Sequence, residues 1–212
     1  MIEWDGDHLT VRLGDARVLF TTRHGGVSEG PFASLNLGER TGDDPEAVAA
    51  NHDRLRELAD GTALARCSQV HGREVLRRST LPDAERPQAD GIATNVPGAA
   101  ALVLTADCLP VALSAPGAVA MVHAGWRGLA AGVLDEGVAA LRDLGAGGPV
   151  VPWSRRCEKK RASHIVHSPL SWTSSTPAAR SRASATALRS TLRPSIASGT
   201  SANASRTSSP TS

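Results

Sequence analysis

Two short apolar runs lie on either side of a polar turn in the middle of the chain. The first, residues 101–105, is continuous and apolar, as in a strand buried on both faces, and it stops shortly before Cys108. The second, residues 118–122, has the same character and is followed at once by His123. Since a Pro-Gly pair at residues 116–117 marks a turn between them, we expect the runs to lie side by side. The pattern therefore predicts that Cys108 and His123 are close in space.

A glycine-rich turn, residues 124–128, follows and leads into a helical pattern. Apolar residues recur there at helical spacing and predict one buried stripe: Leu129, Val133, Leu134, Val138, Leu141 and Leu144. Folds commonly place chemically active groups on the loops and turns that join such elements. The segment 101–128 is therefore the first candidate for a functional site.

The N-terminal half alternates between strand and helix patterns. Apolar and polar residues alternate over residues 8–21, which predicts a β-hairpin. Asp44 followed by Pro45 is a typical helix start, and the apolar stripe of that helix continues to about Asp60. Two further short strands are predicted, over residues 65–72 and 89–94. Because these elements lack regular βαβ spacing, we expect a mixed α/β domain (α+β) with its sheet core between helices.

The composition indicates a globular protein. The chain has 212 residues, 41% of them hydrophobic, which is enough for one sizeable core. No apolar run approaches the ~18 residues of a membrane span, and the N-terminus lacks the pattern of a signal peptide, so we expect a cytoplasmic location and no membrane partner. Three cysteines are an odd and sparse set, which disfavours a disulfide framework.

Charge divides the chain near Pro149. Residues 1–150 contain 13 Arg and 20 acidic residues, whereas residues 151–212 contain 10 Lys plus Arg and one acidic residue. The second part also contains 16 Ser and 7 Thr, which buries too little to offset an ordering cost of about 1–2 kcal/mol per residue. We therefore predict a domain over residues 1–149 and a disordered basic tail over 150–212. The composition of this tail is typical of a frameshifted GC-rich gene. An alternative is a basic arm that binds polyanions non-specifically through its net positive charge, and neither interpretation predicts a specific nucleic-acid partner.

The candidate metal ligands are His71, Cys108 and His123. Each lies where an apolar run meets a polar, glycine-rich turn, and two imidazoles with a thiolate are a known ligand set for catalytic zinc. A buried thiol and two structural histidines would explain the same residues. A cysteine hydrolase, with Cys108 as nucleophile and His123 as base, is a further interpretation. Cys67 precedes a strand-like run, which favours a core position.

Polar side chains in the same turns could contact a substrate: Arg23, Asn36, Gln69, Asp107 and Arg127. The guanidinium groups of Arg23 and Arg127 match the oxygens of phosphate, although both could be solvated loop charges. Asp107 could orient a water, take a proton or cap a turn. Trp126 could stack on a flat substrate or pack in the protein.

Five motifs carry a stronger signal than the spacing does. They are TTRHGGVSEGPFASLNLG, SQVHG, ADG, TADCLPV and VHAGWRG, in that order within about residues 15–145. In them the chain resembles the YfiH-like family, also called laccase-domain or multicopper polyphenol oxidase proteins. The resemblance implies a four-layer α/β/β/α sandwich and one zinc ion, Zn2+, held by the residues matching His71, Cys108 and His123. The older oxidase name assumed copper.

The same resemblance implies phosphorolysis of purine nucleosides. The expected substrates are phosphate and adenosine, guanosine, inosine or methylthioadenosine, and the products are the free base and ribose 1-phosphate. Deamination of adenosine and a role in peptidoglycan editing are also associated with the family. After residues 147–149 nothing in the chain matches the family's continuing sheet, and the chain contains no tyrosine. An inactive, truncated or frameshifted family member is therefore another interpretation, and the sequence leaves the oligomeric state open.

Overall fold

The computed structural model describes residues 1–4, 6–80 and 84–155, together with the backbone of one strand at 162–167. Its strands are β1 (Ile2–Trp4), β2 (His8–Leu13), β3 (Ala16–Thr21), β4 (Ala63–Ala65), β5 (Val75–Arg78), β6 (Gly91–Thr94), β7 (Ala99–Thr105), β8 (Leu109–Ala115), β9 (Ala118–Ala124), β10 (Val151–Ser154) and β11 (Ala162–His167). Its helices are α1 (Pro45–Leu58), α2 (Trp126–Ala131) and α3 (Val133–Asp143), and a 3₁₀ turn spans Gly30–Phe32.

The strands form two sheets. One has six strands in the order β1-β2-β3-β11-β7-β4, and the other has five in the order β10-β8-β9-β6-β5. Neighbouring strands run antiparallel except for two parallel pairs, β4 with β7 and β5 with β6. With helices present beside these sheets, the predicted mixed α/β class is confirmed.

Buried apolar residues fall into clusters that show how the elements pack. One cluster joins the two sheets, with Phe20 of β3 and Met121 of β9 among its members. Because side chains alternate along a strand, Leu19 points to the other face of β3, where it shares a cluster with Leu55 of α1. A third cluster joins α3 to the five-stranded sheet, and it includes Leu141. These clusters support the predicted α/β/β/α order, which stays a prediction.

Two local predictions are confirmed. Strands β2 and β3 pair antiparallel as a hairpin, as the alternation over residues 8–21 indicates. Helix α1 begins at Pro45, and the side chain of Asp44 accepts a hydrogen bond from the backbone N–H of Glu46 at 2.9 Å. The alternation of the hairpin and the cap of the helix both depend on residues that are neighbours in the chain, so neither prediction requires a distant contact.

The predicted pairing of the two apolar runs is wrong. The run 101–105 belongs to β7 in the six-stranded sheet, whereas 118–122 belongs to β9 in the other sheet. The partner of β9 is β8, joined to it by a tight turn at Gly117, whose φ of +98° suits glycine. Pro110 lies inside β8, and β10 pairs with residues 111–114, so the missing N–H of Pro110 breaks no bond on that side.

Two element boundaries also differ from expectation. Strand β4 ends at Ala65, so the predicted strand over residues 65–72 is instead a loop that carries His71. The single helix predicted after residue 128 is two helices, since Gly132 takes a left-handed φ of +90° between α2 and α3. Across Gly132 the apolar residues keep helical spacing while the backbone turns, so hydrophobic periodicity does not reveal the break.

The predicted domain boundary falls next to a strand. Val151–Ser154 forms β10 at the edge of the five-stranded sheet, and the ring of Trp153 lies 4.7 Å from that of Phe20. The backbone of β11 pairs with both β3 and β7. Most of the predicted tail, residues 150–212, lies outside the described residues, so its disorder and its origin stay predictions.

Candidate metal centre

The three candidate ligands converge at one end of the five-stranded sheet. One ligand atom from each of His71, Cys108 and His123 lies within 4.8 Å of the other two. Strand pairing explains part of this, because Pro110 of β8 lies opposite His123 of β9, which brings the preceding Cys108 to the end of β9. His71 lies in the loop after β4, and its ring packs edge to face against that of His123, with 4.8 Å between the centroids.

A buried carboxylate, Asp90, connects two of these residues. Its side chain is fully buried, and its Oδ1 lies 2.8 Å from Nδ1 of His123. Its backbone carbonyl also accepts from the N–H of His123 at 2.7 Å. Because a carboxylate only accepts hydrogen bonds, Nδ1 carries the proton and Nε2 keeps a free lone pair. The imidazole is therefore oriented as in histidines that bind metal through Nε2.

The same carboxylate holds the loop that carries His71. It accepts hydrogen bonds from the backbone N–H groups of Val70 at 3.2 Å, His71 at 2.8 Å and Gly72 at 2.6 Å. His71 has a left-handed φ of +61°, which costs a non-glycine residue about 1–3 kcal/mol unless its surroundings impose it. Asp90 supplies that restraint, so one side chain positions two candidate ligands.

Asp90 is absent from the residues selected from the sequence. It lies within the ADG motif, just before the apolar strand β6, and this was the available signal. A carboxylate beside a short buried strand must find partners, because an unpaired buried charge is very costly. Nothing in the local sequence identifies those partners as His123 and residues 70–72.

Electrostatics favour a neutral imidazole at the centre. Burial lowers the pKa of His123, and the hydrogen bond from Nδ1 to Asp90 opposes this shift. A neutral imidazole is the form that binds a metal ion. The buried His123 is therefore prepared as a ligand around neutral pH.

The space among the three residues fits a metal ion. A β-carbon at Gly125 would lie 3.1 Å from Cδ2 of His71, 3.2 Å from Sγ of Cys108 and 3.8 Å from Cε1 of His123. Glycine at this position thus leaves the centre open. Ligand atoms around a tetrahedral zinc ion lie roughly 3.3–3.8 Å apart, which is compatible with the observed spacing after a small closure. The donor types suit zinc, and also copper.

Substituting Gly125 by alanine tests this fit. The added methyl group should crowd His71 and Cys108 and weaken metal binding by about tenfold or more, because ligand atoms must shift from their positions. A chelator competition titration measures the effect. Gly147→Ala is the matched control, since a β-carbon there would meet nothing within 4 Å. Equal metal affinity in both variants would contradict the expectation.

Two of the predicted substrate residues are engaged in the N-terminal loop. The Nε and Nη2 groups of Arg23 both donate to the carbonyl of Ala33, the former at 2.7 Å. The buried Asn36 donates through Nδ2 to Thr41 Oγ1 and Asp43 Oδ2, each at 2.8 Å. Neither belongs to the His71–Cys108–His123 group. The observed contacts of both side chains organise the loop that precedes α1.

Gln69 connects the ligand-bearing loop to β7. Its Nε2 donates to the carbonyl of Leu104, and the N–H of Leu104 donates to its Oε1, both at 2.8 Å. This reciprocal pair fixes the loop two residues before His71. Cys67 packs against the inter-sheet core, as predicted, and burial raises the pKa of its thiol to about 12.

Three exposed residues are close in sequence to Cys108 and His123: Asp107, Trp126 and Arg127. Trp126 is 74% exposed, and the guanidinium carbon of Arg127 lies over the Trp126 ring, 5.2 Å from the ring centroid. Trp126 therefore does not pack into the core. Both residues immediately follow Gly125 in the chain, and both are exposed.

Comparison with known proteins now identifies the family. The profile of a family described as multi-copper polyphenol oxidoreductase laccase matches residues 17–149. The chain belongs to this laccase family. The match includes Asp90 and the three candidate ligands, and it ends just before β10.

Named relatives of this laccase-family chain are bacterial. The chain is 47% identical over 139 residues to a purine nucleoside phosphorylase, ORF3, of Streptomyces griseus, a match that covers 63% of this chain and 56% of the relative. It is 46% identical over 128 residues to the purine nucleoside phosphorylase YfiH of Escherichia coli, covering 58% and 51%. The chain thus spans about half the length of the curated relatives it matches.

Solved structures of related proteins share the fold. The Neisseria meningitidis protein NMB0706 is 40% identical, with a TM-score of 0.60 over 64% of this chain and 57% of its own. YlmD from Geobacillus stearothermophilus is 30% identical, with a TM-score of 0.67 over 74% and 64%. In the described part of this laccase-family chain, none of the helices has the length and apolar character needed to cross a membrane.

Proposed function

We propose that this chain carries the zinc centre of a purine nucleoside phosphorylase. The supporting observation is the convergence of His71, Cys108 and His123, with Asp90 holding two of them in place. Relatives with 46–47% identity bear the name purine nucleoside phosphorylase. Zinc is proposed over copper because a His₂Cys set with an open position is typical of catalytic zinc.

When bound, zinc supplies a Lewis acid that polarises an oxygen of the substrate. The side chains of the protein would bind the phosphate and transfer the proton. Phosphate would attack C1′ of the ribose as the bond to the purine nitrogen breaks, giving ribose 1-phosphate and the free base. The exposed guanidinium of Arg127 would bind the phosphate oxygens, and Asp107 would exchange a proton with the base or phosphate.

A small apolar cleft near the centre suits the purine base. It has a volume of about 200 Å³ and is lined by Leu35, Leu37, Gly38, Thr41, Leu104, Thr105 and Ala106. Ala106 is two residues from Cys108, so their Cα atoms lie within about 7.6 Å of each other. Asn36 bonds the hydroxyl of Thr41 in this wall, which gives it an indirect role in substrate binding. The exposed indole of Trp126 offers a second flat surface for a base.

Deamination of adenosine is a second reaction proposed for this centre. Water would add at C6 of the purine and ammonia would leave, with Asp107 as the proton carrier. Peptidoglycan editing, the other activity associated with the resemblance, would require a different substrate at the same centre.

A cysteine hydrolase is the alternative that the geometry also supports. Asp90, His123 and Cys108 lie in the order acid, imidazole, thiol, as in a nucleophile activated by an oriented base. This mechanism needs no metal. Iodoacetamide should then inactivate the metal-free protein, whereas zinc chelation should leave its activity unchanged.

The test of the proposed function is an assay of inosine phosphorolysis on the purified full chain. Hypoxanthine and ribose 1-phosphate should form only when phosphate is present, should cease after zinc is chelated, and should return when zinc is restored. Zinc-loaded, folded protein without phosphorolysis of any of the four nucleosides would overturn the proposal.

Substituting Arg127 by alanine should raise the KM for phosphate by roughly 10- to 100-fold, because a charge-assisted hydrogen bond worth about 1.5–3 kcal/mol is lost. The KM for inosine should change much less. Steady-state kinetics with phosphate and inosine varied separately would measure both. Arg54→Gln is the control, since Arg54 donates to the carbonyl of Gly25 in the N-terminal loop. An unchanged phosphate KM would remove Arg127 from this role.

A further inference from the structure

A polar cleft, distinct from the apolar cleft described above, lies between α1 and the segment that precedes β6. We name it the basic cleft. It has a volume of about 290 Å³. Three arginines and one histidine line it: Arg56, Arg66, Arg86 and His52. One wall is apolar, formed by Pro45, Val48 and Ala49 of α1. The His71–Cys108–His123 centre contributes none of these lining residues.

Two of the arginines share one carboxylate. Nη1 of Arg66 lies 3.2 Å from Oε1 of Glu39, and Nη1 of Arg86 donates to Oε2 of the same side chain. The hydrogen bond from Arg86 is the main cause that lowers the pKa of Glu39. Glu39 is therefore ionised at neutral pH and bridges both guanidinium groups. Its side chain is 45% exposed and therefore borders solvent.

The guanidinium groups retain unused donors. The Arg66 side chain is only 17% exposed, and each arginine has five N–H donors. Among the residues that the structure describes, the hydrogen bonds and salt bridges of Arg66 and Arg86 are those with Glu39. Buried N–H groups of a charged side chain ordinarily find acceptors. The remaining donors of Arg66 thus border the cleft, and within the described residues the hydrogen bond of Arg66 is the one to Glu39.

The charged groups that line the cleft are three arginines and the carboxylates of Glu39, Asp43 and Asp53. His52 is neutral near pH 7, because burial, followed by the charge of Arg66, lowers its pKa to about 4. Two other carboxylates line the cleft but are engaged elsewhere: Asp53 pairs with Arg56, and Asp43 accepts from Asn36. Glu39 is the carboxylate that pairs with both Arg66 and Arg86, and burial, followed by the charge of the neighbouring Arg86, lowers the pKa of Arg66.

We propose that the basic cleft is a binding site for a phosphate group, either free phosphate or a sugar monoester, which takes the place of Glu39 between Arg66 and Arg86. Two guanidinium forks match the several acceptor oxygens of a phosphate better than one carboxylate does. The apolar wall from α1 leaves room for a small uncharged substituent on the phosphate. This site is separate from the phosphate position proposed beside Arg127.

Isothermal titration calorimetry of the full chain with inorganic phosphate at constant ionic strength tests the proposal. Arg86→Gln should weaken binding by about 10- to 100-fold, the value of a charge-assisted hydrogen bond. Glu39→Gln should strengthen binding severalfold, because the internal competitor loses its charge. Arg54→Gln is the matched control on α1 and should leave the affinity unchanged. Circular dichroism would verify that each variant is folded.

The Arg127→Ala variant separates this site from the proposed active site. Phosphate binding that survives Arg127→Ala and responds to Arg86 and Glu39 in opposite directions would support the proposal. Binding that is lost in Arg127→Ala but unaltered in Arg86→Gln and Glu39→Gln would overturn it, without affecting the proposed phosphorylase. Titration with ribose 5-phosphate distinguishes the sources: tighter binding than inorganic phosphate identifies a sugar monoester, and equal binding identifies free phosphate.

Discussion

Replacing Cys108 by alanine is expected to abolish both zinc binding and nucleoside phosphorolysis. The thiolate is one of three ligand atoms that lie within 4.8 Å of one another, and two imidazoles alone form an incomplete site. The affinity should fall by more than the roughly 10- to 100-fold that the loss of an outer hydrogen-bond partner typically causes. Elemental mass spectrometry of the purified protein should find about one zinc per wild-type chain and almost none in the variant.

Cys67→Ala is the matched control for that experiment. Cys67 packs at the edge of the inter-sheet core, and its thiol stays protonated because burial raises its pKa to about 12. Its removal should lower the free energy of unfolding by about 1 kcal/mol and leave the zinc content unchanged. Folded wild-type protein without zinc would contradict the metalloenzyme proposal and would favour the thiol hydrolase or a defective product.

Replacing Asp90 should have the next largest effect, through two separate properties. In Asp90→Asn the side chain keeps its shape but loses its charge and one of its two acceptor oxygens, so it cannot accept both from Nδ1–H of His123 and from the N–H groups of residues 70 and 72. Zinc affinity should fall by roughly 10- to 100-fold. In Asp90→Ala the three backbone N–H groups also lose their acceptor, and the free energy of unfolding should fall by about 3–5 kcal/mol.

Cobalt substitution and chemical denaturation measure these two effects independently. The visible absorption of bound Co²⁺ reports the ligand geometry, and chelator competition reports the affinity. Asp15→Asn, in the exposed turn between β2 and β3, should change neither quantity. Wild-type cobalt spectrum and affinity in Asp90→Asn would show that Asp90 serves stability alone.

The candidate centre could be predicted in part because its ligands end or follow apolar segments. Cys108 directly precedes β8 and His123 lies next to the end of β9, so motif and pattern both indicated them. His71 was selected for the wrong local reason, since it lies in a loop and not at the end of a strand. The SQVHG motif, one of the five sequence motifs, still indicated His71, although hydrophobic periodicity did not.

Local signals in the sequence determined the β2–β3 hairpin, the start of α1 at Asp44 and Pro45, and the buried character of β7 and β9. Each depends on residues within one turn or one strand. Tertiary structure decided which strands are neighbours, because the free energy of pairing depends on contacts distant in the chain. It placed β7 and β9 in different sheets, and it brought Asp90 to both His123 and the loop of His71. The sequence alone thus determined the types of the candidate ligands, whereas the packing of distant segments brought them together.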